Sequence, residues 1–155
     1  MINLFGVYEG TADAKGRVML PVAFKKQLSK AIKKGFIIKQ SIFSKSLEIY
    51  PSETWNDLVK NVNQLNRFVK KNVEFIRMFN YNVQGLELDN TGRFLIPRDL
   101  MKSSGIKKHV VMAAAGNMIE VWEKSAYERF IKSAGKGFEG LAEEVMGNLG
   151  NSNNS

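Results

Sequence analysis

The chain has 155 residues and a hydrophobic content of 44%, which suits one compact domain or two small halves sharing a core. Its 23 basic residues against 15 acidic ones leave a formal net charge of +8, a balance that favours a polyanionic partner. With no cysteine and one histidine, disulfides and thiol chemistry are excluded, a transition-metal site lacks donors, and a reducing cytoplasm is the expected compartment.

In chain order, Met1 to Phe5 lacks the basic region and long apolar run of a secretory signal. Phe5 to Ala12 reads as a strand that enters a turn at Asp13, and Val18 to Leu20 reads as its returning partner. Pro21 opens a helix expected to reach about Lys34. Phe24, Leu28, Ala31 and Ile32 mark its apolar face, Lys26, Lys30 and Lys33 a solvated one, and Gly35 its stop. Phe36 to Ile38 and Leu47 to Tyr50 read as a hairpin across a Ser-rich connection. From Pro51-Ser52, the spacing of Trp55, Leu58, Val59, Val62, Leu65 and Val69 predicts a long amphipathic helix, continued by Val73, Phe75, Ile76 and Phe79. This stretch has no evident counterpart of comparable polarity later in the chain. It therefore reads as a helical insert over residues 61–80, joining a first repeat (1–60) to a second (81–134).

The second repeat restates the order of the first. A strand from Val83 to Leu88 leads to a turn, a strand from Phe94 to Ile96 and a short helix from Pro97 to Gly105. Lys108 to Ala115 and Met118 to Trp122 then pair across Gly116-Asn117, a two-residue turn signal. Val110 to Ala115, the longest apolar stretch, is far too short to cross a bilayer. Ser125 to Ala134 is expected to be helical. In the C-terminal segment, 135–155, Gly135, Gly137 and Gly140 interrupt before Phe138, Leu141, Val145 and Leu149 resume helical spacing. Gly147 to Ser155 is expected to be disordered.

The two halves are anchored by one motif written twice, Asp-Ala-Lys-Gly-Arg-Val-Met-Leu-Pro from Asp13 and Asp-Asn-Thr-Gly-Arg-Phe-Leu-Ile-Pro from Asp89. In each, an acidic turn-opener precedes a Gly able to take positive φ, then a short apolar strand and a Pro suited to start a helix. Asp13, Gly16, Asp89 and Gly92 are thus turn-forming residues. The flanks repeat as well, Glu48-Ile49-Tyr50 being echoed by Glu120-Val121-Trp122. Turn geometry accounts for the repeated Asp and Gly, but not for an Arg after both glycines. Lys15-Gly16-Arg17 sets two cations beside a residue without a side chain. Arg is suited to forked contacts with a guanine edge or a phosphate, and Lys to phosphate as a point charge. Thr91 replaces Lys15 in the second copy, which loses one charge while keeping Arg93.

The doubled motif and its flanks resemble the MraZ family of bacterial transcription regulators, relatives of the AbrB and MazE swapped-hairpin DNA-binding domains. The resemblance covers roughly Met1 to Lys132. It implies a mixed α/β fold of two swapped-hairpin repeats forming one small β-barrel with peripheral helices, assembled into a ring. It further implies binding to direct repeats in promoter DNA, control of the division and cell-wall gene cluster and the chain's own promoter, and an association with the nucleoid. Carried over by residue, the DNA-binding positions are Arg17, Lys15 and Arg93. The expected partners are double-stranded DNA and further copies of the chain, with no membrane, substrate or cofactor.

Other signals are weaker. His109 has no nucleophile or acid in a recognisable arrangement, Gly85 to Gly92 lacks the setting of a dinucleotide loop, and Glu143-Glu144 reads as a solvated helix face, so no enzyme is expected. Two alternatives stay open: a non-specific nucleoid-coating protein, and an antitoxin-like module that clasps a protein.

Overall fold

The computed structural model describes residues 2–152. The first half comprises β1 (Val7–Thr11), β2 (Arg17–Met19), α1 (Val22–Gln27), a 3-10 turn (Ile32–Lys34), β3 (Phe36–Gln40), β4 (Leu47–Pro51), α2 (Ser52–Asn63) and α3 (Lys70–Asn80). The second comprises β5 (Gln84–Leu86), β6 (Arg93–Leu95), α4 (Arg98–Ser104), β7 (His109–Ala115), β8 (Met118–Glu123), α5 (Lys124–Gly135) and α6 (Phe138–Ser152). The chain is a mixed α/β structure of two compact units, one ending at Lys124 and one beginning at Ser125.

In the first unit the halves interleave. Six antiparallel strands run in the order β1-β7-β8-β4-β3-β5, and β2 pairs with β6 in a separate two-stranded ribbon. Thus β1 of the first half lies on β7 of the second, β5 of the second on β3 of the first, and β4 meets β8 at the centre with Glu48 opposite Glu120. Through the two Asp-Gly turns the ribbon strands continue into β1 and β5, the two edges of the six-stranded sheet. The ribbon therefore bridges those edges.

The strand β2 does not pair along β1 as the sequence predicts: a single bridge, Ala12 to Val18, links them, and the ladder of β2 is with β6. A period-two pattern states which face of a strand is buried, not which strand lies beside it. Val18 and Phe94, directly opposite in the ribbon, are both buried, and each needs the other as cover. The main core joins them to Phe24, Leu28, Ile38, Leu47, Ile96, Leu100, Val110 and Val121, residues from both halves. Neither half encloses a core of this kind by itself, which is the physical reason for the interleaving.

Three helices differ from expectation. The helix after Pro21 stops at Gln27, because Leu28 is already in the core and the chain turns tightly there, with Ala31 N and Ile32 N both donating to Leu28 O. The long helix predicted from Trp55 is two helices, broken at 64–69. Asn66 takes the local backbone there: its Oδ1 accepts from Phe68 N at 3.0 Å and its carbonyl accepts from Asn72 Nδ2 at 3.0 Å. The pair packs a second cluster of Tyr50, Trp55, Val62 and Phe79, with the Trp55 and Phe79 rings stacked at 5.4 Å. Finally, α6 continues to Ser152, so disorder from Gly147 is not observed as far as that residue, and 153–155 lie outside the described residues. Phe138, Leu141, Val145 and Leu149 recur at helical spacing along α6, despite the poor helix propensity of its Gly and Asn residues.

The helices α2 and α3 follow β4 just as α5 and α6 follow β8. The apparent insert thus has a positional counterpart, which its different polarity and the glycines at 135, 137 and 140 disguised.

Candidate nucleic-acid interface

Each motif folds as a four-residue turn closed by its glycine. Gly16 N donates to Asp13 O at 2.9 Å and Gly92 N to Asp89 O at 3.0 Å, with φ of 89° and 84° at the two glycines. The carboxylates clasp the turns from within. Asp13 Oδ1 accepts from Lys15 N at 3.0 Å and Arg17 N at 2.9 Å. Asp89 Oδ1 accepts from Thr91 N at 2.9 Å, Arg93 N at 3.0 Å and the Thr91 hydroxyl at 2.7 Å. The backbone N–H of Arg17, followed by its side chain, holds the Asp13 carboxyl down to about 2, and the Arg93 N–H likewise lowers Asp89.

The turns hand their arginines to the ribbon. Arg17 faces Leu95, Val18 faces Phe94 and Met19 faces Arg93, so the alternation buries Val18 and Phe94 and exposes Arg17, Met19, Arg93 and Leu95 together on the opposite face. Arg17 and Arg93 are diagonal neighbours there, which ladder geometry puts roughly 7–8 Å apart. Backbone bonds from Ile96 N to Gly16 O at 2.9 Å and from Leu20 N to Gly92 O at 3.1 Å lengthen the ribbon at both ends. Each glycine therefore anchors the strand that follows the other one.

Arg17 is braced. Its Nε donates to Asp13 Oδ2 at 2.7 Å while its side chain stays 43% exposed. Among the described residues its Nη groups make no hydrogen bond, which leaves the forked end of the guanidinium open. Arg93 is exposed and makes no ion pair among the described residues. Lys15 is exposed on the first turn, and Arg98 is exposed at the start of α4. All three predicted DNA-binding residues thus lie on the ribbon or the turn that feeds it.

One neighbour was not legible in the motif. Lys25, on α1 of the first half, lies across the second turn, its Nζ donating to Met19 Sδ at 3.3 Å. A Cβ on Gly92 would collide with its Cε and Nζ. The corresponding cover of Gly16 is Met101 of α4, whose Cγ would lie 3.6 Å from a Cβ there. Lys25 and Met101 each stand four residues after the proline that ends a motif, and that equivalence was the signal available.

A second polar cluster lies across β3, β4 and β8. Lys39, 4% exposed, is opposite Glu48 at 3.9 Å and over the Phe79 ring at 5.0 Å; Glu48 is opposite Glu120. Tyr50 Oη donates to Glu48 at 2.9 Å and Trp122 Nε1 to Glu120 at 3.3 Å. Burial lowers the Lys39 ammonium and raises the Glu120 carboxyl from their ordinary values. Lys39 offsets Glu48, Tyr50 and Trp122 cap the two carboxylates, and Glu120 stands as a like charge across from Glu48. No group of metal-ligating residues is found among the described residues. Nor is any helix there long and apolar enough to cross a membrane.

The architecture defines a class: a duplicated strand-turn-strand chain whose halves exchange strands and jointly present one basic ribbon. The family described as "MraZ protein, putative antitoxin-like" matches residues 4–77 and 79–148, one repeat after the other. The Transcriptional regulator MraZ of Christiangramia forsetii is 51% identical over 148 residues, covering 96% of both chains. Those of Flavobacterium psychrophilum and Bacteroides fragilis are 46% and 33% identical, covering 96% and 94% of this chain and 95% and 92% of their own. This chain belongs to the MraZ family.

Proposed function

We propose that this chain is a sequence-specific DNA-binding regulator of transcription that engages short direct repeats through the exposed face of the β2–β6 ribbon. The observation carrying this reading is that Arg17 and Arg93, one from each half, share that face beside open solvent. A two-stranded ribbon fits the major groove, where an Arg fork can read guanine O6 and N7. Arg17, steadied through Nε by Asp13, is the principal reader, Arg93 the second, and Lys15 a phosphate anchor. The names of the relatives support a regulatory role.

The ribbon bridging the two sheet edges is consistent with the small swapped-hairpin barrel. One ribbon makes few phosphate contacts and would bind with a constant of roughly 10⁻⁴ to 10⁻⁶ M. A ring presenting several ribbons would tighten binding by roughly 10² to 10⁴-fold through avidity. Ile131, Phe138, Leu141, Val145 and Met146 of α5 and α6, all at least half exposed in the single chain, are suitable surfaces for such self-association. The targets proposed are the chain's own promoter and the division and cell-wall gene cluster, in the nucleoid-bearing cytoplasm.

The test is a gel-shift titration on the DNA upstream of the chain's own gene with unrelated duplex as competitor. Preferential retention of the upstream fragment, lost in Arg17→Ala with fold and native mass intact, supports the reading. Equal displacement by unrelated duplex indicates a non-specific coat instead.

A further inference from the structure

We propose that Lys25 is the phosphate anchor of the second hairpin, supplied to it by the first half of the chain. This rests on the reading of the ribbon as a DNA-binding face. By sequence the second tip looks poorer than the first, because Thr91 stands where the first has Lys15. In the folded chain the helix after the first motif lays Lys25 over Gly92, where no side chain obstructs it, and beside Met19, the residue opposite Arg93.

The two tips then match in charge. The first gathers Lys15, Arg17 and Asp13, the second Lys25, Arg93 and Asp89, one surplus positive charge each. The reciprocal cover at the first tip is the uncharged Met101, so the lysine is found only where the turn lacks its own. The Lys25 ammonium has a thioether as its hydrogen-bond acceptor, a weak one, and makes no ion pair among the described residues. Asp89 turns its Oδ1 to the backbone amides and the Thr91 hydroxyl, and its single negative charge offsets one of the two cations, Lys25 and Arg93, so one positive charge in the tip stays uncompensated. A phosphate between the two cations would compensate it. Phosphate contact is sequence-independent, so the same gain applies to any duplex.

The full-length chain is titrated on its upstream fragment and on an unrelated duplex over a series of salt concentrations, as wild type, Lys25→Met, Lys25→Arg, Lys25→Met/Thr91→Lys and Arg17→Ala. Lys25→Met keeps the aliphatic cover of Gly92, and Lys25→Gln serves if it does not fold. Loss of the anchor should weaken binding to both duplexes by a similar factor. The slope of log K against log salt should shrink by about 0.9 for each second hairpin on the duplex. Lys25→Arg should retain the wild-type slope, and Thr91→Lys should restore it to the methionine variant. An unchanged slope in Lys25→Met, or a loss that Lys25→Arg also shows, overturns the proposal. If Arg17→Ala binds weakly while Lys25→Met binds as wild type, only this inference falls. If Arg17→Ala also binds as wild type, the reading of the ribbon falls with it.

Discussion

Arg17 and Arg93 stand diagonally across one exposed face of a two-stranded ribbon, although each belongs to a different half of the chain. Neither hairpin makes that face alone. Exchange of strands puts the two arginines side by side and places the buried pair Val18 and Phe94 beneath them.

The two glycines are constrained differently, and substitution should separate them. Positive φ makes Ala unfavourable at both, by about 1 kcal/mol or more. At Gly16 the added Cβ also meets the carbonyl of Ile96 at 3.1 Å, backbone that cannot swing aside, whereas at Gly92 it meets the flexible end of Lys25. Gly16→Ala is therefore expected to lower Tm more than Gly92→Ala, by differential scanning calorimetry. Equal losses would mean that the carbonyl contact relaxes freely.

Asp13 should act as a brace rather than a DNA contact. Asp13→Asn keeps a side-chain oxygen for the turn amides but removes the ion pair to Arg17. Binding to unrelated duplex should hold or tighten, since the surface gains one positive charge, while preference for the upstream fragment falls. In acid the sign is fixed by a depressed folded value. The carboxylate's contribution is fully present above the unfolded value near 4 and is lost as pH falls towards about 2. The Tm difference between wild type and Asp13→Asn should accordingly shrink through that window and vanish below it.

The Lys39–Glu48–Glu120 ladder gives a prediction of opposite sign. Burial raises the folded value of Glu120 above its unfolded one. Its favourable contribution is present in acid and is lost as pH rises through the folded value. Glu120→Gln retains an acceptor for Trp122 and relieves the like-charge pair with Glu48, so at neutral pH it should stabilise by about 0.2–1 kcal/mol. At a pH below the unfolded carboxylate value the gain should disappear. Lys39→Met removes the cation facing Glu48 and should cost about 3 kcal/mol at neutral pH. Adding Glu48→Gln should recover part of that loss in a urea melt.

The ribbon's own packing supplies a further expectation. Phe94 is 1% exposed under the arginine face. Phe94→Ala should cost about 3–5 kcal/mol and loosen both turns together. Amide exchange should then quicken at Gly16 and Gly92 alike, while an effect confined to the second turn would contradict the shared ribbon.

Much of this was legible in the sequence because it is local. The Asp-x-x-Gly-Arg spacing encodes a turn with a positive-φ glycine, and both turns, the Gly116 turn and most strands fall where their residues put them. What stayed hidden was non-local. The partner of Val18 is Phe94 in the other half, and no pattern within Arg17 to Met19 distinguishes that from a return to β1. Lys25 read as part of a helix rather than a tip residue, because its neighbour Gly92 lies far along the chain. The break at Asn66 was local but subtle, since a polar side chain that captures its own backbone leaves the apolar spacing on either side unchanged.

The most direct measurement is the affinity of the full-length chain for its upstream fragment as wild type, Arg17→Ala, Arg93→Ala and the double variant. Circular dichroism and native mass are recorded on the same samples. If the ribbon face grips DNA, each single variant binds more weakly, the double more weakly still, and the preference over unrelated duplex collapses while fold and assembly persist. Wild-type affinity in the double variant, with its structure intact, would contradict the account.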